Sequence, residues 1–255
     1  MTLSEIQSKI NSAKALDFGD VISQCIDLFK KFWVQGLLTI IIIAVITVPI
    51  ALISQFILGI LGVATERAIQ FEDFSMEKLY GLFGINSLYN APFTIITAFF
   101  QILILGAFYR IIKLKDVENS TSEDYFYFFK SEYFVKALML AVIHTGIGLI
   151  SQFLCFIPYI YAVVPLMYFS VIFAFNSENS VEDIVKASFL IGNKKWLLTF
   201  GSLFVCGILG MLGVIACVIG VIFTISIAYF PSYVIYKDVV GFDGTDEIDE
   251  IGTNL

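Results

Sequence analysis

The sequence predicts an all-α polytopic membrane bundle of about six transmembrane helices in three hairpins, each preceded by an interfacial amphipathic helix. Three observations predict it. Of the 255 residues, 58% are hydrophobic and only 15% charged, where a soluble domain has roughly 45–50% and about 25%. Long charge-free runs recur without the alternation of polar and apolar residues that a membrane β-barrel needs. Basic and aromatic residues cluster where those runs begin or end, as they do at membrane boundaries.

Residues 1–16 are polar, with Leu3, Ile6, Ile10 and Ala13 at helical spacing; a surface helix and a frayed terminus both fit. In residues 17–33 an apolar stripe of Phe18, Val21, Ile22, Cys25, Ile26, Phe29 and Trp33 follows a capping Asp17 or Asp20 and precedes Lys30 and Lys31. This pattern fits a helix that lies in the interface and turns into the bilayer at Trp33, with Lys30 and Lys31 at the end where a helix favours cations. The first apolar run is too long and too late for a cleaved signal, so it is expected to remain as an anchor.

The expected spans are 34–61, 88–114, 133–156, 159–175, 197–212 and 214–236. Span one exceeds the roughly 20 residues that cross a bilayer, and Pro49 is placed to bend it. A polar loop with scattered apolar residues, 62–85, follows as an interface-resting flap. Span two leaves the membrane through Tyr109, Arg110, Lys113 and Lys115, and the run Tyr125–Phe129 suits the headgroup zone, with a protein-binding patch as the alternative. Residues 176–196 repeat the first pattern: acidic start, apolar stripe, then Lys194, Lys195 and Trp196. Gly207, Gly210 and Gly213 weaken helix where spans five and six divide. Residues 241–255 hold five acidic residues and no Lys or Arg, which makes them an acidic, disordered tail.

Charge sets the expected orientation. Thirteen of the 15 Lys and Arg fall on one side of these spans, and only Arg67 and Lys78 on the other. The positive-inside rule then puts both termini in the cytoplasm of an inner (plasma) membrane. The tail carries most of the net charge of −7, so the acidity says nothing of a basic partner. No basic stripe points to nucleic acid.

Chemistry-bearing residues are sparse. No Asp, Glu, Lys or Arg sits centrally in a span, which weighs against an ion-coupled transporter or a voltage sensor. The single histidine, His144, excludes a histidine-cluster metal enzyme. His144, Gln101, Gln152 and Gln55 are the candidate cavity-lining residues, because uncharged polar groups in lipid seek other helices. Cys25, Cys155, Cys206 and Cys217 lack metal-ligand spacing and are expected as buried thiols. No catalytic constellation or cofactor motif is present, so neither catalysis nor a cofactor is expected.

The chain shows signs of internal repetition. At an offset of 62 residues, Gly148, Cys155, Ile157, Ile160 and Ser170 fall on Gly210, Cys217, Ile219, Ile222 and Ser232. The unit of amphipathic helix, Lys-Lys, Trp and Gly/Pro-broken hairpin resembles a broad group of uncharacterised bacterial six-span proteins. It is also similar to the membrane domain attached to some glycerophosphodiester phosphodiesterases. Asp183–Asp238, with Ala187-Ser188-Phe189 and Cys217–Gly220, carries most of the likeness. The resemblance implies an integral membrane protein without the relatives' catalytic domain. Two functions are left open. One is a non-enzymatic scaffold or accessory protein that binds the lipid bilayer, a membrane-protein partner or a second copy of itself. The other is a channel or transporter for a small or lipid-like solute through a cleft between hairpins.

Overall fold

The computed structural model of the protein describes residues 1–61, 86–154, 157–216 and 220–242. Every regular element among them is helical. The loop 62–85, Cys155, Cys217 and residues 243–255 lie outside the described residues.

α1 (Leu3–Ser12) is a true helix, started by a capping box. The Thr2 hydroxyl accepts from the Glu5 N–H at 3.4 Å, and the Glu5 carboxylate accepts from the Thr2 N–H at 2.8 Å, so two orphan donors are satisfied together. Its Ile6 and Ile10 are buried against a later helix, α6.

α2 (Phe18–Ile60) begins at Asp17, whose carboxylate caps the Asp20 N–H at 3.1 Å. At 43 residues it is roughly 65 Å long, about twice the hydrocarbon thickness of a bilayer. Its first part therefore extends beyond the membrane core, as its amphipathic sequence requires. The one residue inside it with non-helical dihedrals is Phe32, at φ −123° and ψ 22°. The break thus lies at the Lys-Lys-Phe-Trp junction, where the chain is expected to turn into the bilayer, and Pro49, the expected bend, keeps helical dihedrals. The first segment must be re-aimed there, whereas a proline within lipid can be absorbed by its helix.

α3 (Asn86–Asp116), α4 (Ser131–Phe153) and α5 (Ile157–Phe175) cover the expected spans two, three and four. α6 (Val181–Lys194) and α7 (Trp196–Met211) meet at an angle of 85°. α7 has 16 residues, roughly 24 Å of helix, short of a full crossing. The chain continues through α8 (Gly213–Ala216), α9 (Gly220–Thr224), a 3-10 turn (Ile225–Tyr229) and α10 (Phe230–Val239). The expected sixth span is therefore a broken helix. Among the described residues, five helical stretches are long and apolar enough to cross a membrane, or six if the bent α6–α7 pair makes one span. The protein is an all-α, multi-pass membrane bundle.

The bundle has two unlike ends. At the end that carries the Lys and Arg, a dense aromatic core fully buries Phe108, Tyr109, Phe128, Tyr168, Phe169, Phe173, Phe230, Tyr233 and Tyr236. Three of the buried phenols are satisfied: Tyr109 by Ser232 at 3.0 Å, Tyr168 by Thr199 at 2.8 Å and Tyr236 by Asn176 at 2.7 Å, as apolar burial of a phenol demands. Asp116 closes this end, paired with Lys31 of α2 at 3.3 Å and Lys237 of α10 at 2.7 Å. Toward the other end the outward faces are bare hydrocarbon, with Val45, Leu52, Phe56 and Ile60 of α2 and Phe204 and Met211 of α7 exposed. Lipid is the solvent that such faces fit.

The amphipathic helices turn their stripes to protein. Val21, Cys25, Leu28 and Phe32 of α2, and Ile184, Ala187, Ser188 and Ile191 of α6, are all buried. Of the stripe expected to rest on lipid, Val21 and Cys25 are covered by the chain's own helices, Ile22, Ile26 and Phe29 are half-buried, and Phe18 and Trp33 stay exposed. Cys25 of α2 and Cys206 of α7 are both buried free thiols.

Candidate functional site

The residues expected to line a cavity do not converge. His144 is half-buried on α4, its ring edge-on to Phe169 at 6.4 Å, and its Nδ1 is buried without a hydrogen-bond partner. Gln152 lies eight residues further along α4, roughly 12 Å away, and accepts from the Ser87 hydroxyl of α3. Gln101 is exposed on α3, next to Phe99 and Phe100, which pack on Phe134 and Phe129 at the start of α4. Gln55 is exposed near the far end of α2. Among the described residues no hydrogen bond joins any two of these four groups, and Gln101 and Gln55 are exposed.

A pocket forms instead at the basic end, where α3 and α5 finish. Its volume is ≈ 270 Å³, and Arg110, Lys113, Tyr127, Phe175, Ser177 and Phe242 are among its lining residues. Arg110 and Lys113 stand three residues apart on α3 and so share one helix face. Asn119, at φ 51°, reverses the chain after α3: the Ser120 N–H bonds the Leu114 carbonyl at 2.8 Å. This left-handed step, which Asn tolerates better than most residues, returns Glu118 to Lys113 at 3.0 Å.

The aromatic run then folds back along α3. Phe128 enters the core against Phe173 at 4.9 Å and Tyr133 at 5.0 Å. Gly106 makes room for it, since a Cβ there would lie 3.2 Å from Phe173 and 3.4 Å from Phe128. Tyr127 stays at the pocket and lies under the Arg110 guanidinium, 3.7 Å from the ring centroid. Phe126, by contrast, is exposed. The run is therefore neither wholly a headgroup belt nor an open patch; one ring is core and another is pocket wall.

The last wall comes from beyond α10. Gly241 adopts φ 73°, and its N–H reaches back to the Tyr236 carbonyl at 3.2 Å, a glycine helix stop. The turn lays Phe242 on Phe175 at 4.8 Å, and Phe242 is only 3% exposed. Gly241 and Phe242 belong to the folded core, so the expected tail cannot start at 241.

The junction residues occupy two matching sites. Lys30 and Lys31 are exposed and Trp33 is 43% exposed, with Trp33 near Phe223 at 6.5 Å. Trp196 stacks on Phe200 at 4.9 Å and donates to the Tyr161 carbonyl at 3.0 Å. Lys194 is exposed, whereas Lys195 is half-buried and donates to the Lys14 carbonyl at 2.8 Å. Burial and the neighbouring Lys194 hold the Lys195 ammonium below the ordinary lysine range.

Sequence reasoning placed Arg110 and Lys113 at a membrane exit but did not make them a site. Their shared face was legible; the walls from Tyr127, Phe175 and Phe242 depend on two left-handed turns and the packing of three distant segments. Compared with protein families, curated proteins and solved structures, the chain matches none.

Proposed function

We propose that this chain is a non-enzymatic scaffold or accessory protein of the bacterial inner membrane. It binds lipid or a protein partner through its basic end, and both termini face the cytoplasm. The observation that carries this reading is the asymmetry of the bundle. One end combines a dense aromatic core, ion pairs and a basic pocket; the other offers bare apolar faces to lipid. Such a body suits holding and docking. The exposure of Gln101 and Gln55 on the outside of the bundle supports the same reading, because a solute path would need its polar groups turned inward. The two matching junctions, one before α2's membrane segment and one before α7, fit a chain built from repeated units.

The test is reconstitution of the full chain in vesicles loaded with small ions, sugars, amino acids or labelled lipid. The expected result is flux equal to that of protein-free vesicles, with lipid or a partner retained through purification in native lipid discs. Protein-dependent flux that His144→Phe abolishes would replace this reading with the transport one. A terminal reporter that reports from the outside would overturn the orientation.

A further inference from the structure

We propose that the pocket at the ends of α3 and α5 is a binding site for a phosphate-bearing anion, with Arg110 as the group that grips it. The proposal deepens the binding function above and rests on it.

Arg110 is the reason. It is half-buried and lines the pocket. Among the described residues it has no carboxylate and no hydrogen-bond acceptor. Its one partner is the Tyr127 ring, which covers a face of the guanidinium and cannot satisfy its N–H groups. A guanidinium has five N–H donors in a fixed fork, and leaving them unmet in a partly desolvated site is costly. The two nearby carboxylates are already engaged. Glu118 holds Lys113 at 3.0 Å, and Asp116 holds Lys31 and Lys237. Among the described lining residues, Arg110 and Lys113 stand against Glu118.

The remaining walls define the ligand. Two oxygens of a phosphate match the guanidinium fork, and Lys113, three residues on, adds a point charge. Lys113 also sits 5.4 Å over the Phe242 ring. Tyr127, Phe175 and Phe242 offer apolar surface beside the charges, which a bare inorganic ion would leave unused but a glycerol-like group would cover. The volume of ≈ 270 Å³ is about nine water volumes, room for a phosphate and a short polar appendage. Basic pockets between membrane helices on the cytoplasmic side are the known form of anionic headgroup sites. The same chemistry would also take a free phosphate or a small organic phosphate from solution.

The experiment uses the full chain in discs of phosphatidylcholine, with phosphatidylglycerol titrated in and bound lipid counted by native mass spectrometry. A parallel arm titrates inorganic phosphate and glycerol 3-phosphate and follows thermal stabilisation. Arg110→Gln should weaken binding by about tenfold or more, the loss of one charge-assisted pair. Arg110→Lys keeps the charge without the fork and should bind in between. Lys186→Gln, which alters an exposed lysine on α6, should leave binding unchanged and reports on non-specific charge. Binding of phosphatidylglycerol that Arg110→Gln removes assigns a lipid headgroup; stabilisation by the soluble phosphates that Arg110→Gln removes assigns a soluble ligand. Binding equal in wild type, Arg110→Gln and Arg110→Lys overturns the proposal. So does the absence of both ligands, or retention of an acidic protein partner with no phosphate binding. Circular dichroism of each variant separates lost binding from lost fold. Solute flux with the headgroup still bound would defeat only the scaffold reading, and absence of flux with no phosphate binding would defeat only the site.

Discussion

The two junctions can be laid on each other residue by residue. Asp17 and Ser180 both cap a helix by accepting the N–H three residues on, at 3.1 and 3.2 Å. Fifteen residues after each cap the backbone breaks, at Phe32 (φ −123°, ψ 22°) and at Lys195 (φ −116°, ψ 25°). A tryptophan follows each break, and Val21, Cys25 and Leu28 match Ile184, Ser188 and Ile191 as the buried stripe. The two breaks have nearly the same dihedrals, so each divides an amphipathic helix from a membrane helix; α6 and α7 meet there at 85°. The junctions differ in where each admits a close neighbour. Gly192 comes before the second break, and a Cβ there would lie 2.8 Å from the Pro165 Cα, so α6 lies tight against α5. Gly36 comes after the first break, and a Cβ there would meet the Ser226 Cβ at 2.7 Å, so the close contact falls on the membrane segment. The same local grammar makes the break; a glycine on one side or the other decides which arm is clamped.

The sharpest way to break this comparison is to fill the glycines. Gly192→Ala should destabilise the protein by about 3 kcal/mol, the upper end for overpacking, because the obstacle is backbone. It should also loosen α6 from α5, read as increased labelling of a cysteine placed at Asn193. Gly36→Ala should cost less, and Ser226→Gly should restore it, since there the obstacle is a side chain. Gly146→Ala, with nothing within 4 Å of its Cβ, should be neutral or stabilising by up to about 1 kcal/mol through helix propensity. Unfolding in detergent titrations measures all of these. Equal effects at Gly192 and Gly146 would remove the close approach as what clamps α6 to α5.

Next in size is the threonine behind the second break. Thr199 accepts from the Tyr168 hydroxyl at 2.8 Å and donates to the Lys195 carbonyl at 2.9 Å. It ties the break to α5. Thr199→Val should cost about 1–2 kcal/mol by leaving a buried phenol unmet. The first junction has Gly36 at that position, and its nearest buried threonine, Thr39, is as deeply buried but donates only to the Gln35 carbonyl of its own helix at 2.8 Å. Thr39→Val should therefore be close to neutral. If both valines cost the same, cross-helix bonding is not what distinguishes the junctions.

The helices and their membrane class were legible because each run's composition and spacing is local information. The caps and both Lys-Lys breaks were legible for the same reason. That Pro49 would keep helical dihedrals was not, because a proline signals only what it forbids, while the break at Phe32 lies where α2 meets α7 and α10. The glycines marked the division after α7, but the splitting of the last span into α9, a 3-10 turn and α10 was not read from the sequence. Of the candidate cavity residues, the glutamines were chosen for their cost in lipid, and nothing local says which face they turn. Arg110, Lys113 and the aromatic run were visible, but their union required Asn119 and Gly241 to reverse the chain, a step that only the folded positions of Glu118 and Phe242 reveal.

The smallest expected effect concerns how the first junction is held from outside. Glu123, in the segment after α3, pairs with Lys115 and accepts from the Gln35 amide at 3.0 Å. Gln35 lies three residues beyond the break at Phe32, and the second junction has Leu198 at that position. Those hydrogen bonds, that of Lys115 first, hold the Glu123 carboxyl below its ordinary range. A folded-state value below the unfolded one means the group contributes stability at neutral pH that fades as pH falls through the folded value. Acidification below the usual carboxylate range should therefore loosen the first junction before the second. The readout is Trp33 fluorescence in a Trp196→Phe background, compared with Trp196 in a Trp33→Phe background. Glu123→Gln should flatten the Trp33 titration and leave Trp196 untouched. A Trp33 titration that persists in Glu123→Gln would place the acid-sensitive tie elsewhere.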